Sequence, residues 1–399
     1  MSVHSYTGRQ SEAQRPMWRW FTDRDSIARR LDWPLLGAAL ALSLLGATVV
    51  YSATRARTDL TGDDPYFFLM RHLLNICIGC GLAALVVWLG HSRLRDLVPV
   101  LYAGTLLLCL LVLSPLGSNV NGSQSWIQLG GGFAFQPSEL VKVSVILAMA
   151  TLLAAGVEGD NNSVPDTPAV LRALGLVAVP AVLILATPDV GTTLVLAAIA
   201  LGVLMSSGAA RRWIIGLVTA GLLLAVAVWL LGVLDQYQIN RFAAFANPAL
   251  DPAGVGYNTN QARIAIGSGG LFGQGLFHGS QTLGQFVPEQ HTDFIFTVVG
   301  EELGFVGGAA VIGLFGVIMW RGCVIAMKSP DVYGTIVAGG IVTWIAFQSF
   351  ENMGMALGIM PVTGVPLPFL SYGGSSTFAI WIAVGLLLAI QVRRKTKLN

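Results

Sequence analysis

Runs of about 20 apolar residues, the length that crosses a bilayer, recur along this chain from Trp33 to Gln391 with only short breaks. In lipid every peptide group must find its partner inside the protein, so such a chain has two folds open to it, a helical bundle or a closed barrel. A barrel shows segments of about ten residues that alternate apolar and polar, and this sequence has none. The reading is an all-α integral membrane protein, a polytopic bundle of about ten transmembrane helices. The expected spans are 33–54, 68–89, 97–115, 137–156, 170–187, 190–208, 213–234, 293–320, 333–358 and 374–392. Composition agrees: 54% of the 399 residues are hydrophobic and 11% charged, with mean hydropathy +0.69, which leaves too little polar surface for a soluble fold.

Residues 1–32 hold six Arg and no apolar core, so they read as a cytoplasmic tail and not as a cleaved signal peptide. With that tail inside, 17 of the 23 Lys and Arg fall on the inner side, a bias that fits an even number of helices with both termini cytoplasmic. The membrane domain is then 33–392, and 393–399 is a basic cytoplasmic tail. Most of the long non-helical sequence lies outside: 116–136, the large loop 235–292 between helices 7 and 8, and 359–373. Loops beyond about 15 residues are unusual unless functional or disordered, so function is expected to face outward. Within the large loop "GYNTNQARIAIGSGGLFGQGLF" suits a short interfacial helix and a glycine-rich turn. "MPVTGVPLPFLSYGGSS" either lines a cavity or is a surface loop; both readings are open. The cysteines Cys77, Cys80, Cys109 and Cys323 lie in or beside spans and read as packing residues.

Ionisable residues inside a membrane cost roughly 2.5–3.5 kcal/mol each on insertion scales and face a partner or a wet cavity. Glu139 and Lys142 are spaced i, i+3 and share a helix face; they form a packing pair or part of a site. Asp189, between Pro188 and Val190-Gly191, reads first as a turn or helix N-cap. In "FVPEQHTDFIFTVVGEELGF", Thr292 or Asp293 caps a helix, or Asp293 is a general base at the mouth of an outward cavity. Glu301 and Glu302, deeper, are expected to fix helix packing. Arg241, Arg263, Arg71 and Lys142 either converge on a pyrophosphate, whose oxygens guanidinium groups match, or snorkel to headgroups. There is no Walker motif, no dinucleotide fingerprint and no His/Cys ligand cluster, which argues against ATP-driven transport and structural zinc. Nothing points to nucleic acid.

The segments "NGSQSWIQLG", "FQPSELVKVS", "TPDVGTTLV", "AIGSGGLFGQG", "VPEQHTDFIFTVVGEELGF" and "GIMPVTGVPLPFLSYGGSS" together resemble the SEDS family (shape, elongation, division and sporulation) in family order over about 33–395. "NPALDPAGVGYNTNQARIAIGSGGLFGQGLFHGSQ" and "ENMGMALGIM" are more similar to the RodA, or elongation, members than to FtsW, the division members. The resemblance implies a peptidoglycan glycosyltransferase in the bacterial cytoplasmic membrane that polymerises lipid II, the undecaprenyl-pyrophosphate-linked disaccharide pentapeptide, into a β-1,4 glycan strand on the outer leaflet. It places the catalytic acid of the "HTDF" motif on Asp293. It implies a polar cavity with Glu139, Lys142 and Asp189, to which the motif residues Trp126, His291, Thr292 and Ser371 and the basic residues Arg71, Arg241 and Arg263 are added as substrate contacts. It also implies a class B penicillin-binding protein as transpeptidase partner, and a divalent cation (Mg or Mn) near the pyrophosphate is left open. Two positions depart from the pattern: Ser125 stands where many members have Arg before Trp126, and Thr187 where Gln is usual. A lipid-precursor transporter and a non-catalytic scaffold for a transpeptidase are the competing functions.

Overall fold

The computed structural model describes residues 27–57, 61–62, 64–120, 123–130, 133–159, 164–232 and 255–397. Helices dominate, as lipid demands. After a single turn, Ile27–Arg30, they are α1 (Trp33–Thr54), α2 (Phe67–Leu113), α3 (Pro137–Gly159), α4 (Thr167–Leu185), α5 (Val190–Ser206), α6 (Arg211–Leu230), α7 (Val255–Ser268), α8 (Ser280–Leu283), α9 (Ile295–Glu302), α10 (Gly304–Met327), α11 (Val332–Leu357) and α12 (Gly374–Lys397). Among the described residues eight helices are long and apolar enough to cross a membrane, and α5 is a shorter apolar one.

The 47 residues of α2 would measure roughly 70 Å if straight, more than twice the hydrocarbon thickness. The helix turns at Gly90, whose φ of 74° and ψ of 147° are not helical. Its contacts show the chain doubling back. Gly79 lies against Trp381 and His91 meets Arg393, so the first half follows α12 toward that helix's C-terminus. The second half returns, with Thr105 bonded to Ser144 of α3 and Val112 to Gln124 beside the sheet. The expected spans 68–89 and 97–115 are these two halves.

A three-stranded antiparallel sheet, β1 (Gly117–Val120), β2 (Ser123–Gly130) and β3 (Phe133–Phe135), fills the expected loop 116–136, with Ser118 opposite Trp126 and Ile127 opposite Phe135. Gln124 fastens it to the end of α2 through the Val112 and Ser114 carbonyls at 3.1 and 3.0 Å. We call this the sheet end of the bundle and the other the tail end.

Side-chain caps set several helix starts. Asp32, Asp166, Asp189 and Asp331 accept from the amides of Leu35, Ala169, Thr192 and Gly334. Asp32 also takes a two-pronged bond from Arg321, which ties α1 to α10. At the tail end burial alone would raise the Asp331 carboxyl, but the His91 ring, the Gly334 amide and Arg393 more than offset it and hold it at about 2. Arg393, expected to begin a separate tail, is thereby part of α12, which continues to Lys397.

One expected span is corrected. The sequence 293–320 reads as a single helix, yet α9 ends at Glu302 and α10 begins at Gly304, whose φ is +67°. The turn after α7 lies in the gap: Phe305 and Val306 donate to the carbonyls of Gly270 and Leu271, and Gln274 and Gly275 donate to those of Glu301 and Glu302. Freed helix ends thus find partners in a second piece of backbone, as depth in a membrane requires.

Candidate active site

Asp293 sits at the sheet end, three residues after Gln290 in a turn that leads into α9. The Asp293 amide donates to the Glu289 carbonyl at 3.0 Å, and Glu289 itself has φ +47°. Phe294, not Asp293, is the N-cap of α9 and makes no side-chain cap bond. The N-cap position that the sequence offered to Thr292 or Asp293 thus falls to Phe294. The carboxylate is half-exposed and lies against Gly364, where a Cβ would stand 3.3 Å from Oδ2.

Buried polar groups hold this turn. Ser371 Oγ donates to the Thr292 carbonyl at 2.5 Å and accepts from the Leu367 amide at 2.8 Å. The Tyr372 amide donates to the His291 carbonyl at 3.0 Å. Asn352, fully buried on α11, donates to the carbonyls of Asp293 and Val365 at 2.7 and 2.8 Å. The proline- and glycine-rich stretch 359–373 is therefore not a free loop: Ile359 and Gly364 are exposed, and its largely buried part from Val365 to Ser371 forms the wall against which Asp293 is set. Thr292 turns its hydroxyl to the Glu289 carbonyl and carboxylate and so serves the turn. The His291 ring packs edge-on to Phe68 at 5.1 Å and tilted to Tyr372 at 5.9 Å. Burial pushes its pKa down to about 4, with Glu289 opposing and Arg57 adding to the shift, so the imidazole is neutral at pH 7.

A second layer of charge lies beneath. Lys142 donates to Glu139 at 2.7 Å and to Gln348 Oε1 at 2.9 Å, all three side chains being at most 2% exposed. Gln348 in turn donates to the Pro366 carbonyl at 2.8 Å, so the ion pair reaches the Asp293 wall through one amide. Glu351, one turn along α11, is fully buried among Lys142, Asp189 and Thr363, and neither of its oxygens makes a hydrogen bond of good geometry among the described residues. Asp189 caps α5 at 2.9 Å and meets Gln136 at 3.4 Å.

Glu139, Lys142, Asp189, His291, Thr292, Asp293 and Ser371 are thus linked by short steps. Other expected contacts are not. Arg263 is spent on the C-terminal carbonyls of α11, donating to Leu357 at 3.3 Å and Gly358 at 2.8 Å, where Gly358 at φ +70° ends the helix. Lys142 is sealed in its ion pair. Neither is placed as a free cation for a pyrophosphate. Trp126 stands half-buried on β2, and no hydrogen bond or ring contact among the described residues joins it to the Asp293 group. Arg241 lies outside the described residues. Arg71 stacks on Phe67 at 4.1 Å and reaches the Tyr372 phenol, close to the site. Gln348, Glu351 and Asn352 were missed, though their i, i+3, i+4 spacing inside an apolar helix marks one polar face. No group of three or more His, Cys, Asp or Glu converges on a metal position among the described residues.

Glu301 and Glu302 do the packing work expected of them. Glu301 accepts from the Gln281 and Thr282 amides at 2.6 and 3.0 Å, capping α8, and Glu302 accepts from Ser52 of α1. An apolar groove of about 460 Å³ between α7, α9 and α10, lined by Ile266, Phe296, Phe305, Ala309 and Ile312 among others, carries no group able to act on a substrate.

A family model described as cell cycle protein, covering FtsW, RodA and SpoVE, matches residues 33–396. The chain belongs to this family. It is 37% identical over 375 residues, 91% of this chain and 94% of the relative, to a probable peptidoglycan glycosyltransferase FtsW of Trichlorobacter lovleyi. It is 38% identical over 360 residues to the stage V sporulation protein E of Bacillus subtilis, covering 90% of this chain and 96% of that one. Of solved structures, the rod shape determining protein RodA of Thermus thermophilus superposes with TM-score 0.64 at 31% identity over 91% of this chain and 97% of its own. A structure described as the coordination of polymerization and crosslinking by a peptidoglycan synthase complex gives TM-score 0.74 at 32% identity, covering 91% and 98%. FtsW, SpoVE and RodA relatives all match, so this chain's similarity does not divide division from elongation.

Proposed function

We propose that the protein is a peptidoglycan glycosyltransferase that polymerises lipid II, with Asp293 as general base. One observation carries the reading: a part-buried carboxylate, in the turn ahead of the Phe294 N-cap, is fixed by backbone bonds from Asn352, Ser371 and Tyr372 on a wall backed by buried charge. Such positioning is what a base must have, since a carboxylate acts only within hydrogen-bond reach of the proton it removes. Asp293 accepts the proton of the acceptor sugar's 4-hydroxyl. The oxygen attacks the anomeric carbon of the other substrate, and the bond to the diphosphate breaks, with its electron pair leaving on the diphosphate. One displacement inverts the configuration and gives a β-1,4 link. A divalent cation, Mg or Mn, would share the diphosphate charge when bound; the chain's part in these steps is to hold and move the proton at Asp293.

The basic-residue bias supports both termini in the cytoplasm and the sheet end, with Asp293, outside. The relative in a peptidoglycan synthase complex supports a crosslinking partner, which we take to be a class B penicillin-binding protein. Purified protein in nanodiscs given lipid II tests the reading: wild type forms glycan strands and Asp293→Asn does not. Transbilayer movement of labelled lipid II without polymer would select a transporter instead.

A further inference from the structure

α12 starts beside the Asp293 turn, and the side chains gathered at its first residues take no part in the proton step above. Its first amides, those of Gly374, Ser375 and Ser376, have no acceptor among the described residues. A helix start concentrates such amides and a partial positive charge, and so attracts anions. Two buried side chains give an independent reason to expect a ligand here. Asn75 of α2 abuts Gly374 and is 2% exposed; its Oδ1 has no partner among the described residues, and both ends of its amide stand 3.6 Å from the place a Cβ would occupy, so a turn of the amide presents its N–H donors to an anion. α2 and α12 run parallel from there, Gly79 against Trp381 and Ala83 against Gly385. His72, one turn before Asn75, consequently lies beyond the end of α12, where the amides point. It is 0% exposed, and neither ring nitrogen has a hydrogen-bond partner among the described residues. An imidazole N–H buried without an acceptor is costly, and a ligand oxygen removes that cost.

The surroundings favour an anion. Arg71 lies at the rim, stacked on Phe67 and reaching the Tyr372 phenol. Burial raises that phenol above its ordinary range, partly offset by Arg71, so it stays a neutral donor. Gly373, Gly374 and Ser376 are half-exposed, which leaves the helix start open to a ligand. The Tyr372 amide bonds the His291 carbonyl, so this place shares a wall with the Asp293 turn.

We propose that the N-terminus of α12, with His72, Asn75 and Arg71, binds the diphosphate group of a lipid-linked substrate. The inference rests on the glycosyltransferase reading and assigns the diphosphate a different seat from the Lys142 and Arg263 that the sequence suggested. No bond forms or breaks at this seat; it receives the charge that the diphosphate gains when the sugar–oxygen bond breaks, a form of stabilisation that grows toward the transition state.

The test is binding of radiolabelled undecaprenyl diphosphate to the full chain in phosphatidylcholine nanodiscs. Ser376→Asp places a carboxylate in the first turn of a helix, which leaves folding unchanged or firmer, yet should weaken binding by roughly tenfold or more through like-charge repulsion. Arg71→Gln should weaken it to a smaller extent, Asp293→Asn should bind as wild type, and excess phosphatidylglycerol should fail to displace the ligand. Wild-type affinity in both Ser376→Asp and Arg71→Gln overturns the proposal. So does displacement by phosphatidylglycerol as effective as by unlabelled diphosphate lipid, which would make this a general headgroup site. If the variant pattern holds while wild type makes no glycan, the diphosphate seat stands and the glycosyltransferase reading fails.

Discussion

Asn352 reaches across from α11 and donates from its Nδ2 to the backbone carbonyl of Asp293 at 2.7 Å. The same nitrogen holds the Val365 carbonyl at 2.8 Å, so one buried amide fixes the acid relative to the stretch that carries Gly364. Asn352→Ala strips both carbonyls of a buried donor, a loss of about 1–3 kcal/mol each. Because a displacement of about 1 Å can cost on the order of 100-fold in rate, kcat for lipid II polymerisation is predicted to fall roughly 10- to 100-fold with KM little changed. Steady-state kinetics beside a thermal melt separate this from a purely structural effect. A variant that melts earlier and turns over normally would speak against Asn352 as a positioning residue.

Lys142 and Glu139 form a closed buried pair that also carries Gln348. Removing one partner leaves a bare charge, so Lys142→Met is expected to destabilise by about 3–5 kcal/mol. The double change Lys142→Met/Glu139→Leu removes both charges and should recover a substantial part of that loss. Additive losses in thermal unfolding of the detergent-solubilised variants would mean that the two do not act as a pair.

Gly364 sits at φ +76°, a conformation that costs an L-residue about 1–2 kcal/mol, and its added methyl would lie 3.3 Å from the Asp293 carboxylate. Gly364→Ala is therefore predicted to reduce kcat more than its modest loss of stability explains. Gly232→Ala carries similar backbone strain at φ +62°, with nothing within 4 Å of the added methyl, and serves as the control. Equal activity in the two variants would remove Gly364 from the site.

His291 is neutral in the folded protein, its pKa held near 4 by burial against an ordinary value of 6.5. Between those values the unfolded chain binds the extra proton, so the stability associated with burying the neutral ring is present above pH 6.5 and is lost as pH falls toward 4. The full loss is on the order of a few kcal/mol. Melting temperatures measured from pH 4 to 8 should fall on the acid side in wild type and less steeply in His291→Gln. Parallel curves would show that His291 does not titrate in this way.

What the sequence made legible was whatever periodicity and apolar length control. The helices of the bundle follow from runs that only helices can bury, and the Asp189 cap from its place before a helix. The break between α9 and α10 was hidden because apolar sequence, "IFTVV" before and "AAVIGLF" after, flanks it on both sides, and the cause lies in Gly270 and Leu271, more than thirty residues away. Arg263 misled for a similar reason: sequence displays its charge but not the helix end that consumes it. Gln348, Glu351 and Asn352 were readable in principle as one polar face inside "WIAFQSFENMG". The fold-back of α2 at Gly90 was legible too, because the polar stretch "HSRLRD" parts the expected spans 68–89 and 97–115.

The most direct measurement of the central claim is the single-turnover rate of glycan bond formation by wild type and Asp293→Asn with lipid II saturating. The amide keeps the shape and cannot accept the proton, so the rate is predicted to fall by about 10²–10⁴-fold while undecaprenyl diphosphate still binds and the melting temperature holds. A variant that is folded and polymerises within a few-fold of wild type would show that Asp293 is not the base.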